Sequence, residues 1–307
     1  MQLKLEYLVL LVLYVILLVA LLVSVAFVTL MEQKLLSSIQ VRLGPQKVGF
    51  WGLLQPFADA VKLFVKEISY CRMSNFFFFF LMPSLSLLVV LVLWLVAPFN
   101  YGGLNFELGV MFFVCVSGMG VFPILVEGWA SNSKYSFLGG LRAVAQMVSY
   151  EVSLVMIILS LLWVVHSFNF NKMMLSSGWS LGAFFFFPLM MIWFVSSLAE
   201  TNRSPYDFSE SESELVSGFN TEYSSGGFTL IFMAEYASIL FMSLILTVFF
   251  LTSSSGFIMV VKTMVVAFGF VWVRGTMPRL RYDKLMFLAW KSFLPISLFL
   301  FCFFLIY

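Results

Sequence analysis

Charged residues are scarce in this chain: of its 307 residues, only 10% are charged and 62% are hydrophobic. About 25% of the residues of a typical soluble protein are charged. A soluble domain of this length could not bury so much apolar surface, so lipid must solvate much of the chain. The composition therefore excludes a soluble globular fold and predicts an all-α, polytopic integral membrane protein.

Cysteine and histidine, the usual ligands of metals and cofactors, are also rare. Cys71, Cys115 and Cys302 are odd in number and far apart, so neither a disulfide framework nor a metal site follows from them. His166 is the only histidine, which excludes a haem held by two histidines. The sequence has no glycine-rich nucleotide motif, and its net charge of +2 gives no reason to expect a nucleic-acid partner. We therefore expect no metal, no bound cofactor and no redox centre in this chain.

Long apolar runs account for most of the sequence. A helix of about 20 apolar residues crosses a hydrocarbon core of about 30 Å. Runs of this kind predict about eight transmembrane helices in one membrane domain covering 1–307, at about 7–31, 76–97, 108–126, 143–165, 181–199, 228–251, 256–273 and 284–305. Most of the 17 Lys and Arg residues lie in or beside the odd-numbered loops. By the positive-inside rule these loops face the cytoplasm or matrix, and both termini face the opposite side.

The first loop contains a further helical pattern at about 56–68. Pro56 is suited to the first turn of a helix, where its missing N–H would have no partner. Apolar residues then recur at helical spacing, at Ala58, Val61, Val65 and Ile68. Polar residues, among them Asp59, occupy the other face. This pattern predicts an amphipathic helix that lies on the basic side of the membrane or packs on a partner there.

Two glutamates fall inside predicted transmembrane helices. Glu151 lies about 13 Å into the core, and Glu235 about 10 Å, at a rise of about 1.5 Å per residue. An ionised acid at such depth costs at least about 2.5–3.5 kcal/mol. Burial favours the protonated form of a carboxyl, which suits a proton relay. The alternative is a structural Glu that hydrogen-bonds a neighbouring helix.

The segment 200–227 is an unusually acidic loop. Its six acids are opposed only by Arg203, and they are Glu200, Asp207, Glu210, Glu212, Glu214 and Glu222. Crowded carboxylates raise each other's proton affinity, so the cluster could hold mobile protons. A solvated turn is the alternative. It is less attractive here because the loop also carries apolar residues and leads directly into the helix that contains Glu235.

Several long motifs are typical of one known family. They lie at 40–45 (QVRLGP), 52–59 (GLLQPFAD), 139–146 (GGLRAVAQ), 149–152 (SYEV), 198–205 (LAETNRSP), 212–220 (ESELVSGFN), 234–236 (AEY) and 278–283 (PRLRYD). Over essentially its whole length the chain resembles the membrane subunit 1 family of respiratory complex I, the proton-pumping NADH:ubiquinone oxidoreductase. Gln33 departs from the pattern because the family usually has Arg there, so no charge role is assigned to it.

The resemblance implies that the chain anchors the peripheral redox arm and forms much of the ubiquinone access channel. It implies quinone-binding roles for Arg42, Trp51, Phe232, Met233 and Arg274. It implies coupling of quinone reduction to proton pumping through carboxylates at Asp59, Glu151, Glu200, Asp207, Glu210, Glu212, Glu214, Glu222 and Glu235. Ubiquinone would be the substrate, and FMN and iron–sulfur clusters would reside in partner subunits.

The resemblance also implies a location and a set of partners. These are the mitochondrial inner membrane, with odd-numbered loops in the matrix and both termini in the intermembrane space, the other complex I subunits, and phospholipid. The many Phe residues and the absence of a presequence suggest a mitochondrially encoded chain. Two other functions are compatible with intramembrane glutamates: a stand-alone proton- or ion-coupled transporter, and a passive scaffold.

Overall fold

A computed structural model describes residues 2–69, 71–98, 106–176, 186–207, 218–251 and 256–306. In this part of the chain the regular structure is helical, with no β-strand. Seven helical segments are long and apolar enough to cross a membrane, and an eighth, Phe187–Glu200, is apolar but shorter. The predicted all-α, polytopic fold with about eight membrane helices is confirmed. The range predicted for the fifth helix, 181–199, begins at residues outside the described part.

The helices are numbered in chain order. Their bounds are α1 (Gln2–Ile39), α2 (Gln55–Val65), α3 (Phe76–Leu93), α4 (Gly109–Met119), α5 (Val121–Ala130), α6 (Lys134–Val165), α7 (Phe170–Ser176), α8 (Phe187–Glu200), α9 (Ser225–Leu246), α10 (Phe257–Thr276), α11 (Tyr282–Leu288) and α12 (Leu294–Ile306). Helices α4 and α5 form one membrane segment that is interrupted at Gly120, and π-helical turns extend α9 and join α11 to α12.

The amphipathic helix α2 begins with Pro56 in its first turn, as its sequence favours. Helix α1 continues to Ile39, well beyond the apolar run that ends near residue 31. The extension brings Glu32 to the protein interior, where it is only 5% exposed. A helix need not end where its hydrophobic run ends, because the polar residues that follow can pair with groups on other helices.

Helix α9 lies at the centre of the bundle and is the most buried membrane segment, whereas the segment that ends in α12 is the least buried. Helix α9 packs against α3 and α10 and also contacts α1 and α2. Large buried aromatics fill the centre: Tyr150, Trp193, Phe113 and Phe241. Since lipid is as apolar as these side chains, close packing rather than exclusion of water holds the helices together.

Buried polar contacts fix α6 against α8. The side-chain amide of Gln146 donates to the carbonyl of Ala199 at 2.8 Å and to that of Tyr206 at 2.6 Å. Gly139 lets α6 approach the turn at Gly218 closely, because a Cβ there would lie 2.8 Å from the Gly218 backbone. These contacts hold the end of α8, and with it Glu200, against the middle of α6.

Candidate functional site

An interior cavity of about 100 Å³ lies among α3, α4–α5, α6, α8 and α9. Its wall is mostly apolar, with Val90, Leu93 and Phe241 among the lining residues. Three glutamates also line it: Glu127, Glu200 and Glu235. Apolar surroundings with a few convergent acids are typical of sites where proton affinity is tuned.

Glu151 lies beside this cavity. Its carboxylate occupies the space left by Gly118, since a Cβ on that glycine would lie 2.8 Å from the Glu151 Oε1 atom. Glu151 is also close enough to interact electrostatically with Glu200. The two glutamates predicted from separate segments of the sequence, on α6 and at the end of α8, are therefore neighbours.

A cluster of charged residues lies where α1, α8, α9 and α10 converge. Glu32 on α1 accepts a hydrogen bond from Arg274 on α10. The guanidinium of Arg203 lies 3.9 Å from a Glu32 oxygen and 3.8 Å from a Glu235 oxygen. It also lies over the ring of Tyr236, 4.3 Å from the centroid, in a cation–π contact. We call Glu32, Arg203, Glu235, Tyr236 and Arg274 the ion-pair cluster.

Glu235 belongs to both the ion-pair cluster and the cavity wall. A change of charge or position at Arg274 can act on Glu32, then on Arg203, and so reach a carboxyl that faces the cavity. Because Arg203 is buried, these interactions are screened weakly by solvent. The arrangement can therefore transmit an electrostatic change from the surface of α10 to the interior acids.

Two of the other predicted acids have partners of their own outside the cavity lining. Asp59 on α2 accepts a hydrogen bond from the Gln55 side chain at 2.8 Å. Asp207 forms an ion pair with Arg279 at 2.8 Å. Three further predicted acids lie outside the described residues: Glu210, Glu212 and Glu214.

Glu222 accepts a hydrogen bond from the thiol of Cys71 at 2.8 Å. This bond, together with partial burial, raises the pKa of the Cys71 thiol. The neighbouring Tyr223 stacks on Phe79 at a centroid distance of 4.3 Å. Burial raises the pKa of the Tyr223 hydroxyl. The end of the acidic loop thus packs against α3 and α5.

The predicted quinone-binding residues lie on or next to α1, α2, α9 and α10. Arg42 is exposed after α1, and Trp51 is 70% exposed and stacks on Phe50 at 5.5 Å. Phe232 and Met233 are partly buried on α9, and Arg274 belongs to the ion-pair cluster. The four helices are joined by contacts of α1 and α2 with α9 and of α1 with α10.

Sequence reasoning missed two acids of the site. Glu127 directly follows the third predicted transmembrane range, 108–126, and is not among the predicted site residues, yet it is fully buried. Glu32 follows the first apolar run in the same way. The signal that could have found them is an acid placed directly after an apolar run, where a helix can continue inward.

Among the described residues, no cluster of His, Cys, Asp and Glu is arranged to hold a metal ion.

A family model described as NADH dehydrogenase matches residues 12–305. Relatives named NADH-ubiquinone oxidoreductase chain 1 include that of Aedes aegypti, 53% identical over 95% of this chain and 94% of its own. The relative from Locusta migratoria is 51% identical over 94% of this chain and 93% of its own length. The relative from Phascolarctos cinereus is 47% identical over 90% of each chain. The chain therefore belongs to the NADH-ubiquinone oxidoreductase chain 1 family and is a multi-pass subunit of respiratory complex I in the mitochondrial inner membrane.

Proposed function

We propose that this subunit forms much of the channel by which ubiquinone reaches its reduction site, and that it couples quinone reduction to proton movement through buried carboxyls. The proposal rests on the position of Glu235, which belongs to both the ion-pair cluster and the cavity wall. It pairs with Arg203 in the ion-pair cluster and lines the cavity shared with Glu200. Among the described residues, no other member of the ion-pair cluster lines the cavity.

The coupling we propose is electrostatic. Two unit charges 3.8 Å apart attract each other by about 4 kcal/mol at an effective dielectric constant of about 20. A tenfold change in proton affinity needs only about 1.4 kcal/mol. A small displacement of Arg203, driven by a charge change at the quinone beside Arg274, would therefore alter proton binding at Glu235. Glu151 and Glu200 would pass the proton onward.

The quinone channel would lie between α1, α2, α9 and α10. A long-tailed quinone needs an apolar path from lipid to a site above the membrane. Trp51 and Phe232 offer aromatic surface for the ring or tail, and Met233 offers an adaptable apolar wall. Arg42 and Arg274 would supply cations for the polar head group.

The remaining acids would extend the proton path on the basic side of the membrane. They are Asp59, Asp207, Glu210, Glu212, Glu214 and Glu222. We propose that this side faces the matrix, that both termini face the intermembrane space, and that the subunit anchors the peripheral arm, whose subunits hold FMN and iron–sulfur clusters. Neighbouring membrane subunits, phospholipid and ubiquinone would be its other contacts.

Glu151→Gln tests the coupling in the assembled complex. The substitution removes a protonatable group but keeps a similar shape, so we expect the complex to assemble and to lose proton pumping, with slowed quinone reduction. The exposed Glu107 provides the control, Glu107→Gln, which has the same charge change outside the cavity. Normal pumping by Glu151→Gln would favour the passive scaffold. Ion transport by the isolated subunit would favour the transporter.

Photo-crosslinking tests the channel. A photoactivatable ubiquinone analogue added to the intact complex should label peptides that contain Trp51 or Phe232, and excess ubiquinone should suppress the label. Label confined to other subunits would refute the quinone role of this chain while leaving the carboxyl pathway to be judged by Glu151→Gln.

A further inference from the structure

We propose that Glu127 is a further proton-carrying residue, connected by water molecules in the interior cavity to Glu200 and Glu235. The inference rests on the proposed proton coupling and extends it to a residue on α5. Glu127 lines the cavity from α5, whereas the ion-pair cluster lies where α1, α8, α9 and α10 converge, so Glu127 would form a branch of the proposed pathway and not a step between its other members.

The first observation concerns the carboxyl itself. The Glu127 residue is 0% exposed, and neither of its carboxylate oxygens accepts a hydrogen bond from the residues that the structure describes. The Ser86 hydroxyl lies near it but donates its hydrogen to the Pro83 carbonyl at 2.9 Å. A buried carboxylate with no donor is too costly to persist, whereas a protonated carboxyl, or one that meets water, is tolerated. A Glu that links helices structurally would hydrogen-bond a group on a neighbouring helix, and Glu127 makes no such bond to the described residues.

The second observation is the polarity of the cavity wall. The hydroxyls of Ser86, Ser117 and Thr201 all donate to carbonyls of their own helices, at 2.9, 3.1 and 3.0 Å. Each of these hydroxyl oxygens can therefore only accept a further hydrogen bond. The Oδ1 atom of Asn202 and one oxygen of Glu200 are also buried acceptors with no donor among the described residues. The wall thus presents an excess of hydrogen-bond acceptors.

An occupant that satisfies these acceptors must be rich in donors and small. Water fits, because each molecule donates two hydrogen bonds, and a water occupies about 30 Å³ of liquid. A cavity of about 100 Å³ is therefore large enough for several waters. Polar partners and sufficient volume are the two conditions for buried water, and this cavity meets both.

The proposed step is a proton transfer without any change of electrons. The Glu127 carboxyl gives its proton to the first water, each water passes one proton on as it accepts one, and the Glu200 carboxylate accepts the last. Glu127 is left as a carboxylate that hydrogen-bonds water. Glu127 regains a proton by the same route when Glu200 or Glu235 is next protonated.

Glu127→Gln and Glu127→Asp in the assembled complex test this inference. Infrared difference spectra between the NADH-reduced and oxidised complex should lose a protonated-carboxyl signal in E127Q and retain one in E127D. The pH profile of coupled quinone reduction should shift in E127Q only. Glu107→Gln should alter neither measurement. Spectra and pH profiles of E127Q identical to those of the Glu107→Gln control would overturn the inference.

Two further results complete the test. If E127Q does not assemble, dicyclohexylcarbodiimide, which modifies protonated carboxyls in apolar sites, should label Glu127 in the wild-type complex; label at Glu200 with none at Glu127 would overturn the inference. If Glu151→Gln impairs pumping while E127Q does not, only the branch at Glu127 fails. If Glu151→Gln also pumps normally, the proposed proton coupling fails with it.

Discussion

The pair formed by Arg203 and Glu235 gives the sharpest quantitative prediction. Their side chains are only 9% and 18% exposed, and their charged atoms are 3.8 Å apart. The Coulomb attraction at that separation is about 4 kcal/mol at an effective dielectric constant of about 20. Arg203 also keeps Glu32 and the Tyr236 ring as partners when Glu235 is replaced. We therefore expect a measured coupling energy below the full attraction, about 1–3 kcal/mol.

A double-mutant cycle measures this coupling. Arg203→Gln, Glu235→Gln and the double variant are compared with the wild-type complex by their rates of thermal inactivation. A coupling of about 1–3 kcal/mol makes the double variant less impaired than the two single effects predict, by about 5- to 150-fold in rate. The exposed pair Arg281–Asp283, whose side chains are 77% and 75% exposed, is the control and should give about 0.5 kcal/mol or less. Additive effects at Arg203 and Glu235 would refute the claim that they interact directly.

Two further predictions concern packing and thiol chemistry. Gly139→Ala forces a Cβ to within 2.8 Å of the Gly218 backbone and should destabilise the α6 contact by about 1–3 kcal/mol, which lowers the amount of assembled complex on native gels. Gly140→Ala is the control, because its nearest contact would be an ordinary 3.4 Å, and it should leave that amount unchanged. Since the hydrogen bond to Glu222 raises the pKa of Cys71, Glu222→Gln should lower that pKa and increase the thiolate fraction at mildly alkaline pH. Alkylation of Cys71, followed by mass spectrometry, should then be faster than in the wild-type complex; an unchanged rate would show that Glu222 does not control the thiol.

The fold class could be predicted from the sequence because lipid imposes a simple rule. An apolar stretch long enough to cross the membrane must be helical, since no water is present to satisfy its backbone. The membrane helices at Phe76–Val96 and Ser225–Leu251 follow directly from their long apolar sequences. The described part of helix α8, Phe187–Glu200, ends one residue beyond the predicted range, 181–199.

The acids of the site were predicted only in part. Glu151 and Glu235 stand out because they interrupt apolar runs, and the depth of each follows from helix geometry. Glu32 and Glu127 directly follow such runs, where a local pattern cannot distinguish a loop from a helix that continues into the protein. Burial of these two residues depends on which helices pack around them, and that information is tertiary.

The pairing of charges could not be predicted at all from a single sequence. Arg203 looked like an isolated cation in an acidic loop, yet it turns inward between Glu32 and Glu235. The backbone carbonyls of Ala199 and Tyr206, which accept from Gln146, hold the two sides of that turn against α6. Contacts between positions so distant along the chain leave no periodic signal.

Time-resolved infrared spectroscopy of the intact complex tests the central claim most directly. When NADH reduces bound ubiquinone, protonated-carboxyl signals should appear or disappear together with quinone reduction, and Glu235→Gln should abolish part of that change. If the carboxyl signals stay constant through turnover, or change identically in wild type and Glu235→Gln, the interior acids do not exchange protons in response to the quinone and the proposed coupling is wrong.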